Sequence, residues 1–230
     1  AFMKERVCNY HEIFIKADGY VYPCCRLWFR EEYRIGHVAD PDIIEKILSF
    51  YKPCRCELFT ARPPTAGDVP DFKRFNIETS MFCQAKCAMC CTGSPDYRGR
   101  QDSPYLDHWL SLIDRLKPAS LTLQGGEVLM QRKTIQSLAH IKEKYPKIKL
   151  HCVSNMSVEL SRLDEIEQIF DGFDVSMVGF QPETYNAIMG LDVMRTKAAV
   201  EELIRRGKVD IMIKYLLLPL LQQRLQKQYL

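Results

Sequence analysis

The chain has 230 residues, 47% of them hydrophobic and 27% charged, with a formal net charge of +3. That length accommodates one sizeable core, or a main domain with a small satellite, and the interspersed charges exclude the basic blocks of a protein built around nucleic acid. No apolar run reaches membrane-spanning length and the opening AFMKERVCNY has no signal-peptide core, so a cytoplasmic protein is expected, its ten cysteines read as thiolate ligands rather than disulfides.

Nine of those cysteines, at 8, 24, 25, 54, 56, 83, 87, 90 and 91, fall in the first 91 residues, which puts any metal chemistry in the N-terminal part. Residues 8–56 read as a small turn-rich unit. In EIFIKADGYVYPCC the dipeptide Asp18-Gly19 is flanked by Ile13, Ile15 and Val21 in strand-like alternation, the signature of a hairpin. A two-residue turn there sets Ile13 opposite Cys24 and leaves Cys24 and Cys25 at the open end, with Cys8 arriving from upstream. A helix is predicted in PDIIEKILSFY, ahead of Cys54 and Cys56. The stretch ARPPTAGDVP, with three prolines and a glycine, reads as a linker.

From residue 74 the pattern changes to strands alternating with helices. Strands are expected near 74–79, 120–124, 148–153, 174–179 and 209–217. Helix-like segments between them place apolar residues at spacings of three and four, as at Leu160, Leu163, Ile166 and Ile169. Such alternation implies parallel pairing with right-handed crossovers, as an open sheet or a barrel. Five strand–helix units are counted, the last helix being LLQQRLQKQYL. The division expected is a cysteine-rich β-hairpin domain at 1–60, a linker at 61–73 and an α/β domain at 74–230.

Two motifs carry the chemistry. CQAKCAMCC places Cys83, Cys87 and Cys90 directly after the first strand, on the face where parallel α/β folds build their sites. A cubic iron–sulfur cluster takes four thiolates, so three leave one iron open; a zinc site using the adjacent Cys91 as fourth ligand is the alternative. LTLQGGEVL ends the second strand with Gly125, Gly126 and Glu127, where two glycines admit close backbone approach to a ligand and the carboxylate can accept from an ammonium group.

In this combination the sequence resembles the radical S-adenosylmethionine (SAM) superfamily. The resemblance implies an incomplete parallel (β/α) barrel. It implies a [4Fe-4S] cluster on Cys83, Cys87 and Cys90, with Met89 at the motif's apolar position and SAM on the open iron. One-electron cleavage of SAM would then give a 5′-deoxyadenosyl radical that abstracts hydrogen from a substrate. On the same pattern Gly125, Gly126 and Glu127 contact SAM, and Ser154 and Asn155, ending the third strand, form a polar pair, although the same residues could cap a following helix. Ser176 or Gln181 takes the ribose side, and the fifth strand, IMIKYLLLP, supplies an apolar wall for adenine. Cys8, Gly19 and Cys24 match the opening of SPASM and twitch domains, here preceding the barrel instead of following it. An auxiliary [4Fe-4S] cluster is implied on Cys8, Cys24, Cys54 and Cys56, with Cys25 as a substitute ligand and structural zinc as the alternative. Cys152, mid-strand, reads as a buried apolar residue.

The function expected is hydrogen abstraction from a peptide or protein side chain, with a flavodoxin- or ferredoxin-type reductant and no membrane partner; the charge disfavours nucleic acid. The alternatives are a small-molecule dehydrogenase or epimerase, RNA modification, which the charge disfavours without excluding, and a non-catalytic cysteine-rich metal-binding or electron-transfer protein. With five strands where the family's partial barrel has six, the missing wall is expected from the N-terminal domain, from further residues or from a second subunit in a homo-oligomer.

Overall fold

The computed structural model describes residues 7–8, 12–50, 59–60 and 73–215. Its main sheet is built from β2 (Glu12–Ile15), β3 (Tyr20–Tyr22), β4 (Gly36–His37), β6 (Arg74–Glu78), β7 (Ser120–Gln124), β8 (Lys149–Ser154), β9 (Gly172–Met177) and β10 (Asp210–Tyr215). The strand order is β10-β9-β8-β7-β6-β2-β3-β4. A separate antiparallel pair joins β1 (Val7–Cys8) to β5 (Phe59–Thr60). The helices are α1 (Ile43–Ser49), α2 (Leu106–Leu116), α3 (Arg132–Lys144), α4 (Leu163–Ile169), α5 (Pro182–Met189) and α6 (Val193–Arg206). Among the described residues no helix is long and apolar enough to cross a membrane.

Strands β6 to β10 pair in parallel, each with the next, as the alternation of strand and helix requires. The hairpin adds to this sheet rather than standing apart. β2 runs parallel to β6, with Phe14 beside Asn76 and Ile15 beside Ile77. The described parallel run therefore has a sixth strand, contributed from the N-terminal side of the chain. The expected linker falls largely outside the described residues, yet the segments on either side of it are neighbours in one sheet.

Alternation along the strands separates two faces. Phe75 and Ile77, Leu121 and Leu123, Leu150 and Cys152, and Phe173 and Val175 are at most 1% exposed, and they join the helices' apolar residues in a continuous core. Cys152 is thus the buried apolar side chain expected. Residues of the opposite parity, including Asn76, Glu78, Gln124, Val153 and Ser176, belong to the other face, and four of these five are polar. Burial of the first face supplies the stability and leaves the second free for a site.

One expectation about strands is corrected. The hairpin pairs Phe14 with Tyr22 and Ile15 with Val21, and Lys16 N–H donates to Tyr20 O at 2.9 Å, so three residues, Ala17 to Gly19, form the loop. Gly19 has a φ of +85°, the left-handed residue that closes a three-residue hairpin loop. The register is one step from a two-residue turn, and it brings Glu12, not Ile13, to the level of Cys24. Ile13 and Ile15 enter the core, while Phe14 lies alongside Asn76 on the other face. β10 pairs with β9 and ends the described sheet, with Met212 60% and Tyr215 47% exposed. Residues 216–219 of the expected apolar wall lie outside the described residues, as does the helix expected at the end.

Candidate functional site

The loop from β6 to α2 is held over the strand ends by its backbone. Gly126 N–H donates to Ser80 O and Glu127 N–H to Phe82 O, both at 2.7 Å. Farther along, Lys86 N–H donates to Met189 O at 2.8 Å and Ala88 N–H to Ile188 O at 2.9 Å, tying the loop to the end of α5. The two glycines are needed for this docking. A Cβ on Gly126 would lie 2.1 Å from Phe82 O, and one on Gly125, whose φ is +134°, would lie 2.4 Å from Ser80 O. The close approach expected of the glycine pair is therefore to the chain's own cysteine loop.

With the loop docked, Cys83, Cys87 and Cys90 line one cavity of about 420 Å³, together with Met89. Gly125, Gly126, Ser154, Asn155 and Ser176 line the same cavity, at the C-terminal ends of β7, β8 and β9. Three thiols lining one cavity suit a multinuclear group with an open position. Cys83 Sγ accepts from Ala85 N–H at 3.3 Å and from Asn155 Nδ2 at 3.9 Å. Burial pushes the Cys83 thiol up to about 12 and raises that of Cys87. At Cys90 burial acts the same way but is outweighed by hydrogen bonds with Thr92 and Ser94, which hold the thiol below its ordinary value. A cluster's positive iron would favour the thiolate at all three. Cys91 is exposed and lines the same cavity; among the described residues no three His, Cys, Asp or Glu side chains converge as a single metal ion requires.

Glu127 is placed otherwise than expected. Its side chain is 1% exposed and is taken up by its own chain: Oε1 accepts from Leu129 N–H at 3.1 Å and Ser154 Oγ at 2.8 Å, and Oε2 from Asn155 N–H at 2.9 Å. Burial pushes this carboxyl up against the pull of those donors. Glu127 thus bonds the Ser154–Asn155 turn and is not among the residues lining the cavity. That turn is no helix cap either. Ser154 Oγ accepts from Met156 N–H and Asn155 Oδ1 from Ser157 N–H, local bonds that fix a turn with Met156 at a φ of +52°. Gln181 is exposed ahead of α5 and does not line the cavity, so Ser176 alone of the ribose-side pair reaches it.

The hairpin supplies a wall from the N-terminal side, one of the three sources expected, through residues that sequence reasoning did not name. Phe14, Cys25 and Trp28 line the cavity, and Trp28 stacks on Phe14 with ring centroids 6.2 Å apart. Cys25 N–H donates to Glu12 Oε1 at 3.2 Å; burial, and then the Glu12 carboxylate, push its thiol up to about 11. Cys25 thus shares the cavity of the three-cysteine loop, while Cys24 is half-buried beside it in sequence. Cys8 lies opposite Phe59, three residues beyond Cys56. The Cys8 side chain and Cys54 and Cys56 are outside the described residues. Glu78, Gln124, Thr92 and Ser94 were also missed; the signal for Glu78 was its shared parity with Asn76 on β6.

The family model of the radical SAM superfamily matches residues 77–223, and that of the SPASM iron–sulfur cluster-binding domain matches residues 8–64. The chain belongs to the radical SAM superfamily. Its domain implies a [4Fe-4S] cluster with SAM, and the preceding SPASM match implies an auxiliary iron–sulfur cluster. Among solved structures the chain is similar to SuiB of Streptococcus suis bound to the precursor peptide SuiA, at 19% identity and a TM-score of 0.51, over 60% of this chain and 32% of that one. SuiB bound to S-adenosylmethionine is matched at 19% identity and a TM-score of 0.50, over 60% and 33%. Native anSMEcpe with AdoMet and the Cp18Cys peptide is matched at 22% identity and a TM-score of 0.47, over 61% and 41%. At these identities the SuiB likeness is one of fold, and the chain spans less than half the length of each of these structures. No curated protein matches the chain in sequence.

Proposed function

We propose that the chain houses the SAM-cleaving site of an enzyme that abstracts hydrogen from a peptide or protein side chain. The observation that carries this reading is the single cavity in which Cys83, Cys87 and Cys90 face Gly125, Gly126, Asn155 and Ser176. Cys83, Cys87 and Cys90 would hold the [4Fe-4S] cluster, and Cys8, Cys24, Cys54 and Cys56 the auxiliary one. When bound, the cluster and SAM supply a 5′-deoxyadenosyl radical to the substrate.

The chain's own residues do the positioning. Asn155 Nδ2 and the Ala85 amide point donors at Cys83 Sγ and favour its thiolate. At Cys90 the Thr92 hydroxyl lies 3.3 Å from Sγ and is bonded in turn to the Ser94 hydroxyl, and hydrogen bonding with these two residues favours the thiolate there as well. Met89, Phe14 and Trp28 give the cavity apolar surface that excludes water from a reactive site. The likeness in fold to SuiB, solved with a precursor peptide, supports a peptide over a small molecule as substrate.

The test is anaerobic reconstitution, followed by iron and sulfide counts and an assay of SAM cleavage with dithionite. About eight irons per chain and release of 5′-deoxyadenosine are expected for two ordinary clusters. Zinc in place of iron, with no cleavage, would overturn the reading. Modification of a peptide pool, read by mass spectrometry, then separates peptide from small-molecule chemistry.

A further inference from the structure

The hairpin side of the cavity holds one carboxylate, Glu78, the last residue of β6. It is 6% exposed, and the other residues lining the cavity include no Asp, Glu, Lys, Arg or His. Among the described residues its carboxylate accepts one hydrogen bond, to Oε2 from Ala17 N–H at 3.3 Å. Lys16, the cation that acts on it, is paired with Asp18 at 3.1 Å, and the two influence Glu78 in opposite directions. Negative charge in this cavity is therefore not balanced from within. A buried carboxylate in that position is costly, and a cation entering the cavity offsets the cost through a charge-assisted hydrogen bond. Trp28, in the same wall, is already taken up by its own chain: Lys16 Nζ lies 5.7 Å from its ring centroid and Phe14 stacks on it, which leaves Glu78 as the group that faces an incoming cation.

We propose that Glu78 forms a subsite for a cationic group of the substrate, the ammonium or guanidinium of a lysine or arginine side chain. The inference rests on the cavity being the SAM-cleaving site, with SAM against the Gly125, Asn155 and Ser176 side and the substrate entering along the hairpin. Glu78 then acts in recognition, selecting peptides by charge.

The experiment is anaerobic equilibrium dialysis of capped tripeptides, Gly-Lys-Gly against Gly-norleucine-Gly and Gly-Arg-Gly against Gly-citrulline-Gly, on the reconstituted holoenzyme with SAM. The cationic peptides bind about tenfold more tightly than their neutral counterparts, and in Glu78→Gln the preference falls to near unity while the SAM dissociation constant stays at the wild-type value. The glutamine keeps an oxygen for the Ala17 amide, and should this variant not load iron, the wild-type comparison decides alone. No charge preference in the wild type, or one that survives in E78Q, overturns the proposal; so does an equal loss of SAM affinity in E78Q, which would give the carboxylate to SAM. A holoenzyme that fails to cleave SAM would refute the reading of the site itself, a separate failure because the peptide preference is measured by binding.

Discussion

Substituting Gly126 by alanine tests how the cysteine loop is held. The new Cβ would meet Phe82 O at 2.1 Å and Met81 O at 2.5 Å, both backbone atoms that cannot swing aside as a side chain could. Relief requires the loop to retreat by close to an ångström, which breaks the bonds from Gly126 N–H to Ser80 O and from Glu127 N–H to Phe82 O. Each bond is worth about 1 kcal/mol net, and forced overpacking adds about 1–3 kcal/mol. The penalty is about 3–5 kcal/mol, a large part of the roughly 5–15 kcal/mol that stabilises a domain. For a chain of this size that lowers the melting temperature by roughly 6–20 °C. Iron content after anaerobic reconstitution should fall below half of wild type, because Cys83 follows the displaced carbonyls directly. Gly93→Ala is the control: its φ is +74° but no atom lies within 4 Å of the new Cβ, so it bears only left-handed strain of about 1–2 kcal/mol and keeps its iron. Full iron loading and an unchanged melting temperature in G126A would refute the docking argument.

Further expectations follow from the same contacts. Serine at Cys83, Cys87 or Cys90 should each remove about four irons per chain, whereas Cys91→Ser should retain them; iron loss in C91S would return Cys91 to the ligand set. Glu127→Gln turns an acceptor oxygen into a donor facing N–H or O–H groups, at a cost of about 1–3 kcal/mol. In that variant SAM affinity, measured by dialysis on the holoenzyme, should fall several-fold with iron retained, and unchanged affinity would count against a positioning role. Burial disfavours the Asp171 carboxylate, but Lys142 at 2.6 Å, the Leu150 amide and Lys149 outweigh it and hold the carboxyl at about 2. A depressed value means stability that is present above the ordinary carboxyl range and is lost as pH falls from about 4 through about 2. Asp171→Asn should therefore lose about 1–2 kcal/mol at pH 7, after allowance for solvent screening, and flatten the acid limb of a melting-temperature profile; a limb identical to wild type would contradict it.

Much of the site could be read from the chain because its chemistry is local. The spacing of Cys83, Cys87 and Cys90 and the pair Gly125–Gly126 lie at strand ends, and period-two alternation locates those ends to within a residue or two. Cys152 is likewise the buried apolar side chain expected, since a cysteine mid-strand among apolar neighbours packs as one of them. The register of the hairpin was not legible. Asp18-Gly19 suits a two-residue turn as well as a three-residue loop closed by a left-handed glycine, and the choice falls to the strand pairing on either side. Glu127 was misjudged for a similar reason, because a carboxylate beside two glycines looks available until Leu129, Ser154 and Asn155 are seen to claim it.

The sequence by itself determined the alternating α/β order and the family, and it carries the cysteine spacing at 83, 87 and 90, all of which depend on positions along the chain. Only the tertiary structure decided that β2 pairs in parallel with β6, that Phe14, Cys25 and Trp28 therefore wall the cysteine cavity, and that Glu78 stands in it with its charge unbalanced. Those facts join residues some fifty or more positions apart, and contacts at that separation are fixed by how sheets and loops pack, which no local pattern encodes.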